Sequence, residues 1–222
     1  AGADAKKIVE AISDKGSFME LNGAFGTSAV TGLTQIGGST VGVTALNGVL
    51  DVDSCSKAAR FVRFCDAFSI PVVTLVDAKE FTSVREASKL SNAYSEATTA
   101  KITVITGEAY GPVYVAIAGR GANADYTMAW ANAVVCPLAP QTAAMFLWSD
   151  RLKKSGKTKE ARNKLIEEYK ATEATPFAAA AEGFIEDIID PAETRAKVIA
   201  NLEMLEGKRV SRLPKKHSNI QI

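Results

Sequence analysis

Two short β-branched runs, Ile70–Val76 (IPVVTLV) and Lys101–Thr106 (KITVIT), predict strands with both faces covered. Between and around them the hydrophobic period changes to that of helices. Over Ala5–Ser13 the apolar residues Ile8, Val9 and Ile12 share one helical face, with Asp4 as the cap. Residues 54–69 predict a second helix, capped by Asp53 or Ser54. It is lined with small residues and with Phe61, Phe64 and Phe68, and Lys57, Arg60 and Arg63 form its polar edge. Ser83–Ala97 predicts a third helix, with Ala87, Leu90 and Tyr94 inward. Phe18–Leu21, Ala29–Ile36 and Thr40–Leu46 alternate as strands do, and Gly37-Gly38 predicts a hairpin between the last two.

Further along, Tyr110-Gly111-Pro112 leads into a short helix from Val113 towards Ala118, and Ala129–Val135 predicts another strand. Pro140–Trp148 and 157–170 predict helices, the second strongly charged and projecting. Glu182–Ile189 returns to the sheet, and Ala192–Glu206 closes with Val198, Leu202 and Leu205 inward. Strand-then-helix units joined by short loops predict an α/β fold with largely parallel pairing. No low-complexity linker divides the chain, so one domain over residues 1–222 is expected.

Composition removes several classes of function. A net charge of +1 gives no electrostatic reason to expect nucleic acid, and 47% hydrophobic residues argue against disorder. Cys55, Cys65 and Cys136 lack metal-ligand spacing and read as reduced core thiols of a cytoplasmic protein. His217 is the only histidine, which disfavours a Ser-His-Asp hydrolase or a histidine-rich metal site. Neither a Walker loop nor a Gly-x-Gly-x-x-Gly fingerprint is present, and no run of 18 uncharged apolar residues predicts a membrane span. The start does not read as a signal peptide, and a first residue Ala1 with no initiator methionine fits a processed or trimmed terminus or one half of a longer polypeptide.

The letters of DVDSCSKAARFVRFCDAF (residues 51–68), with KITVIT, Ala109–Gly111 (AYG), Phe184–Asp190 (FIEDIID) and Lys216–Ile220 (KHSNI), closely resemble one family. It is the C-terminal half of the carboxyltransferase subunits of biotin-dependent acyl-CoA carboxylases and decarboxylases, of the propionyl-CoA carboxylase β and methylmalonyl-CoA decarboxylase α types. The resemblance covers nearly the whole chain. It implies a crotonase-like spiral of ββα units and carboxyl transfer between carboxybiotin and an acyl-CoA. The expected partners are an N-terminal carboxyltransferase half and a biotin carboxyl carrier protein, with a biotin carboxylase or a sodium-pump membrane subunit as further candidates. It also implies a homo-oligomer, a trimer of such domains or a hexamer of full subunits.

Such chemistry needs no side-chain nucleophile. It needs position, and backbone N–H donors for two oxyanions. The family's thioester hole belongs to the N-terminal half. The hole for the biotin oxygen maps to Tyr110-Gly111-Pro112-Val113-Tyr114, where relatives usually read Tyr-Gly-Gly-Ala-Tyr. On this reading Gly111 and Val113 supply the donors, and Tyr110, Pro112 and Asp77 complete the biotin site. Pro112 has no N–H. It either leaves the hole one donor short or simply begins a helix.

A second departure follows Asp77. Relatives carry a Pro-Gly-Phe-x-Pro-Gly loop there, whereas this chain is shorter and reads Ala78-Lys79-Glu80-Phe81, a helix-forming stretch that Asp77 can cap. Asn47-Gly48 is either a turn or part of the substrate canyon. Lys57, Arg60 and Arg63 either meet a carrier or CoA phosphates, or form a solvated edge. The basic residues Lys208, Arg209, Arg212, Lys215 and Lys216 either attract an acidic partner or solubilise the terminus. Two readings stand: the biotin-side half of a working carboxyltransferase, and a degenerate subunit that organises a complex without catalysis.

Overall fold

The computed structural model describes residues 4–119, 124–154 and 158–211, and its strands form one mixed eight-stranded sheet. The strands are β1 (Met19–Leu21), β2 (Ala29–Ile36), β3 (Ser39–Leu50), β4 (Val72–Phe81), β5 (Lys101–Tyr110), β6 (Tyr126–Trp130), β7 (Val134–Cys136) and β8 (Asp187–Ile189). The main path runs β1-β2-β3-β4-β5-β6-β8, with β7 paired to the far end of β5. β1 to β3 pair antiparallel and the remaining pairs are parallel.

Side chains alternate across the three central strands and feed two cores. Leu46, Val72, Val76 and Ile105 enter one cluster, where α2 (Val52–Ala67) and α3 (Val84–Glu96) pack. Val43, Val73, Leu75, Ile102 and Val104 enter the other, beneath α1 (Ala5–Ile12) and α8 (Thr194–Leu205). Strands with both faces covered have no place for alternating polar residues, which is why their sequence is almost continuously apolar.

The hairpin at Gly37-Gly38 forms as expected, with φ of +61° and +81° that only glycine adopts easily. Its amides donate to the Asp14 carboxylate at 3.0 and 2.9 Å, and Arg195 Nη2 donates to the same carboxylate at 2.6 Å. The Arg195 hydrogen bond, and then the Gly38 amide, hold the Asp14 carboxyl below the ordinary carboxylate value of 3.8. A lowered folded-state pKa means that the ionised form stabilises the fold. That contribution is complete above the ordinary value and is lost as pH falls through the lowered one. Asp14→Asn should therefore flatten the acid limb of the melting-temperature profile. Parallel wild-type and variant profiles down through that limb would contradict this.

Several sequence expectations change. Asp51, not Asp53 or Ser54, caps α2, its carboxylate accepting from the Ser54 amide at 2.7 Å. Lys57 is not on a solvated edge. It is buried, and its Nζ donates to the Ala29 carbonyl at 2.7 Å. Asn47-Gly48 is not a turn but part of β3, where Gly48 has φ of +68° beside a register shift. The single strand expected over Ala129–Val135 is two, β6 and β7, divided by a turn at 131–132.

The charged helix is α6 (Lys159–Thr172). It does not project freely, because Leu165 and Tyr169 are buried on its inner side and Trp148 meets Tyr169 edge-on at 5.3 Å. Lys208 docks on Asp125 at 2.8 Å, whereas Arg212, Leu213, Pro214, Lys215 and the KHSNI close with His217 lie outside the described residues. Among the described residues no helix is long and apolar enough to cross a membrane.

Candidate functional site

The ends of β4 and β5 and the turns that follow them surround a cavity of about 520 Å³. β5 stops at Tyr110 because Gly111 turns the chain, with φ of +59° that a side chain rarely tolerates. The Gly111 amide donates to the Cys136 carbonyl at 3.1 Å, tying the turn to β7. Pro112 then opens a helical turn that continues as a π-helical turn over Tyr114–Ala118. Proline suits this first position, where the amide would have no helical partner. The first helical bond runs from the Val115 amide to the Gly111 carbonyl at 3.2 Å, so the Val113 amide precedes the ladder.

Opposite this turn stand Phe81 at the end of β4 and Val84 and Ala87 at the start of α3. A third wall comes from Leu138 and Ala139 ahead of α4 (Pro140–Leu147). Val84 is 87% exposed and Val115 61%, so the cavity mouth is unusually apolar. Among the described residues that line it none is titratable, and Ser88, Ser91 and Thr142 supply the only side-chain hydroxyls. The described residues therefore bring no general acid or base to the cavity. They bring apolar walls and the start of a helix, an arrangement suited to holding a flat group and an anionic oxygen.

The five residues expected at the site separate. Gly111 and Pro112 line the cavity. Tyr110 ends the same strand, but it packs with Cys136, Ala143 and Tyr169, and burial raises its phenol above the ordinary range. Val113, expected to donate its amide, is wholly buried in the α2–α3 core and does not line the cavity. Asp77 lies within β4, where its carboxylate accepts from the Glu108 amide at 2.8 Å and sits against Gly107. It caps no helix, because 77–81 is strand: Ala78 pairs with Gly48 and Ala109, Glu80 with Val49 and Phe81 with Leu50.

Val84, Ala87, Leu138 and Ala139 were not foreseen from sequence. The available signal was the isolated apolar Val84 in an otherwise charged helix start. Among the described residues no group of three histidine, cysteine or acidic side chains is placed to hold a metal ion. Burial pushes the Cys136 thiol up to about 12, and its Sγ donates to the Leu138 carbonyl at 2.8 Å, so it is no nucleophile at neutral pH.

The profile of the carboxyl transferase domain family matches residues 1–220. Among curated proteins, the carboxyltransferase subunit of propionyl-CoA carboxylase from Haloferax mediterranei is 38% identical over 99% of this chain and 45% of its own length. The methylmalonyl-CoA carboxyltransferase 12S subunit of Propionibacterium freudenreichii subsp. shermanii is also 38% identical, over 98% of this chain and 44% of its own. The chain thus spans about half the length of the curated relatives it matches, aligning with their C-terminal half.

Among solved structures, transcarboxylase 12S with methylmalonyl-coenzyme A and methylmalonic acid bound superposes with a TM-score of 0.91. It is 37% identical, covering all of this chain and 45% of that one. The β subunit of geranyl-CoA carboxylase from P. aeruginosa, 22% identical with a TM-score of 0.79, shares the fold.

Proposed function

Because the chain belongs to the carboxyl transferase domain family and has its crotonase-like α/β fold, we propose that it is the biotin-side domain of an acyl-CoA carboxyltransferase. The observation that carries this reading is the helix start at Gly111–Pro112 opening beside an apolar cavity whose described lining residues include no titratable side chain. The cavity fits a small bicyclic urea. Its apolar walls suit the ring, and the amides of the first turn suit an oxygen that gains negative charge. Biotin bound on its carrier supplies the carboxyl group.

This chain's share is to hold the ring between the helix start and Phe81 and keep water from it. An N-terminal half supplies the acyl-CoA side. Residues 1–222 form one domain on this reading, and the assembly is a homo-oligomer. The relative transcarboxylase 12S, described as a hexamer, supports that expectation. Buried reduced thiols at Cys55, Cys65 and Cys136 support a cytoplasmic setting.

A second reading, in which the subunit organises a complex without catalysis, is favoured by one observation. β4 continues as strand to Phe81, where the family's Pro-Gly turn would sit. Mixing the chain with an N-terminal half and a carboxylated biotin carrier separates the two. Transfer to propionyl-CoA well above that of either half alone is expected. A mixture that assembles but transfers nothing would leave the organising role.

A further inference from the structure

A smaller cavity of about 280 Å³ lies away from the Gly111 turn and shares no described lining residue with it. Its walls come from α2 and from the β1–β2 segment. Phe25, Phe61 and Phe64 form an aromatic lining, with Lys57 and Arg60 as cations and Asn22 among the polar groups. No described lining residue is acidic.

The site is held open by local structure. Gly26 takes φ of +55° so close to α2 that a Cβ would lie 2.7 Å from the Ser54 amide nitrogen. The Ser28 amide donates to Ser54 Oγ at 3.2 Å. Phe61 is buried, while Phe25 and Phe64 are nearly half exposed at the mouth.

The charges do not balance within the site. Lys57 is 6% exposed, and among the described residues its ammonium makes one hydrogen bond, to the Ala29 carbonyl. An ammonium has three donors, and a buried cation without an anion is costly. Among the described residues Lys57 makes no ion pair within 4 Å, and the Glu20 carboxylate, whose charge bears on it, already pairs with Lys6 at 2.7 Å. The opening towards Arg60 therefore leaves room for one anionic group, next to three rings that favour a flat apolar body. The volume lies below the roughly 300–1,000 Å³ of drug-sized sites, so the occupant is small.

We propose that this cavity binds a small monocarboxylate carried on a flat aromatic or unsaturated body, with Lys57 and Arg60 holding the carboxylate and Phe61 and Phe64 the body. The site stands whether or not the chain transfers carboxyl groups. Benzoate titrated into the full chain, followed by amide chemical shifts, tests it against the neutral isostere benzamide.

Benzoate should bind about tenfold tighter than benzamide, the difference of one well-placed charge-assisted contact. The shifts should centre on residues 21–31 and 56–64. Arg60→Gln, on the surface and safe for folding, should weaken benzoate about fivefold and leave benzamide unchanged. Equal binding of the two probes would overturn the proposal. So would an Arg60→Gln protein that binds benzoate normally, or shifts centred on Gly111 and Pro112.

Discussion

Replacing Pro112 with glycine should raise carboxyl transfer by the protein reconstituted with its N-terminal half, by up to about a hundred- to a thousandfold. Pro112 occupies the first position of the helical turn beside the cavity, where every other residue would present an N–H. One oxyanion donor is worth about 2.7–4 kcal/mol in enzymes that use such holes, so restoring a donor should act on the rate of transfer more than on carrier binding. The same substitution should lower stability by about 0.5–1 kcal/mol, because glycine frees the unfolded chain. Rate and melting temperature should therefore move in opposite directions, which separates a gained donor from a general repair of the fold. A Pro112→Gly protein that melts lower and transfers no faster would count against a missing donor at this turn.

A large loss of stability is expected from Gly42→Ala. Gly42 is buried in β3 against α2, and a Cβ there would collide with Cys65 Sγ and lie 3.2 Å from the Phe61 ring. Cys65 is fully buried, so its sulfur has no solvent to move into. Overpacking of this kind costs about 1–3 kcal/mol, and this contact belongs at the upper end. For a domain of this size that is about 6–12 °C of melting temperature.

Cys65→Ala removes the atom in the way. Combined with Gly42→Ala it should recover about 1–2 kcal/mol relative to the sum of the single effects. Urea unfolding of the four proteins gives this coupling directly. Simple additivity would mean that the strand, rather than the thiol, absorbs the added methyl.

The central strands were legible because burial on both faces leaves its mark in their own letters. Val72–Val76 and Ile102–Ile105 have no partner-dependent ambiguity of pattern. The end of β4 was not legible. Lys79 and Glu80 favour helix locally, and they are strand because β3 runs on to Leu50 and β5 to Tyr110 alongside them. The burial of Lys57 was hidden for a similar reason. Its acceptor is a carbonyl 28 residues upstream, and carbonyls have no letter. At the candidate site the turn itself could be read, because Gly-Pro has few other uses. The walls could not, because Val84, Ala87, Leu138 and Ala139 are apolar residues indistinguishable by type from core. Only the return of α3 and of the 137–142 segment to the end of β5 gives them a common purpose.

The alternation of β4 between two cores also governs which changes of length the fold can absorb. Up to Val76, removal of one residue would exchange the two faces and push each side chain into the wrong cluster. Beyond Val76 only Ala78 is fully buried, and the register already shifts there against β5. Insertions and deletions after that point change the rim of the cavity and leave the foundations untouched. Lineages could thus lengthen, shorten or exchange this rim independently of the rest of the protein. The segment from Asp77 to Ser83 is accordingly the natural boundary for grafting a longer turn from a relative.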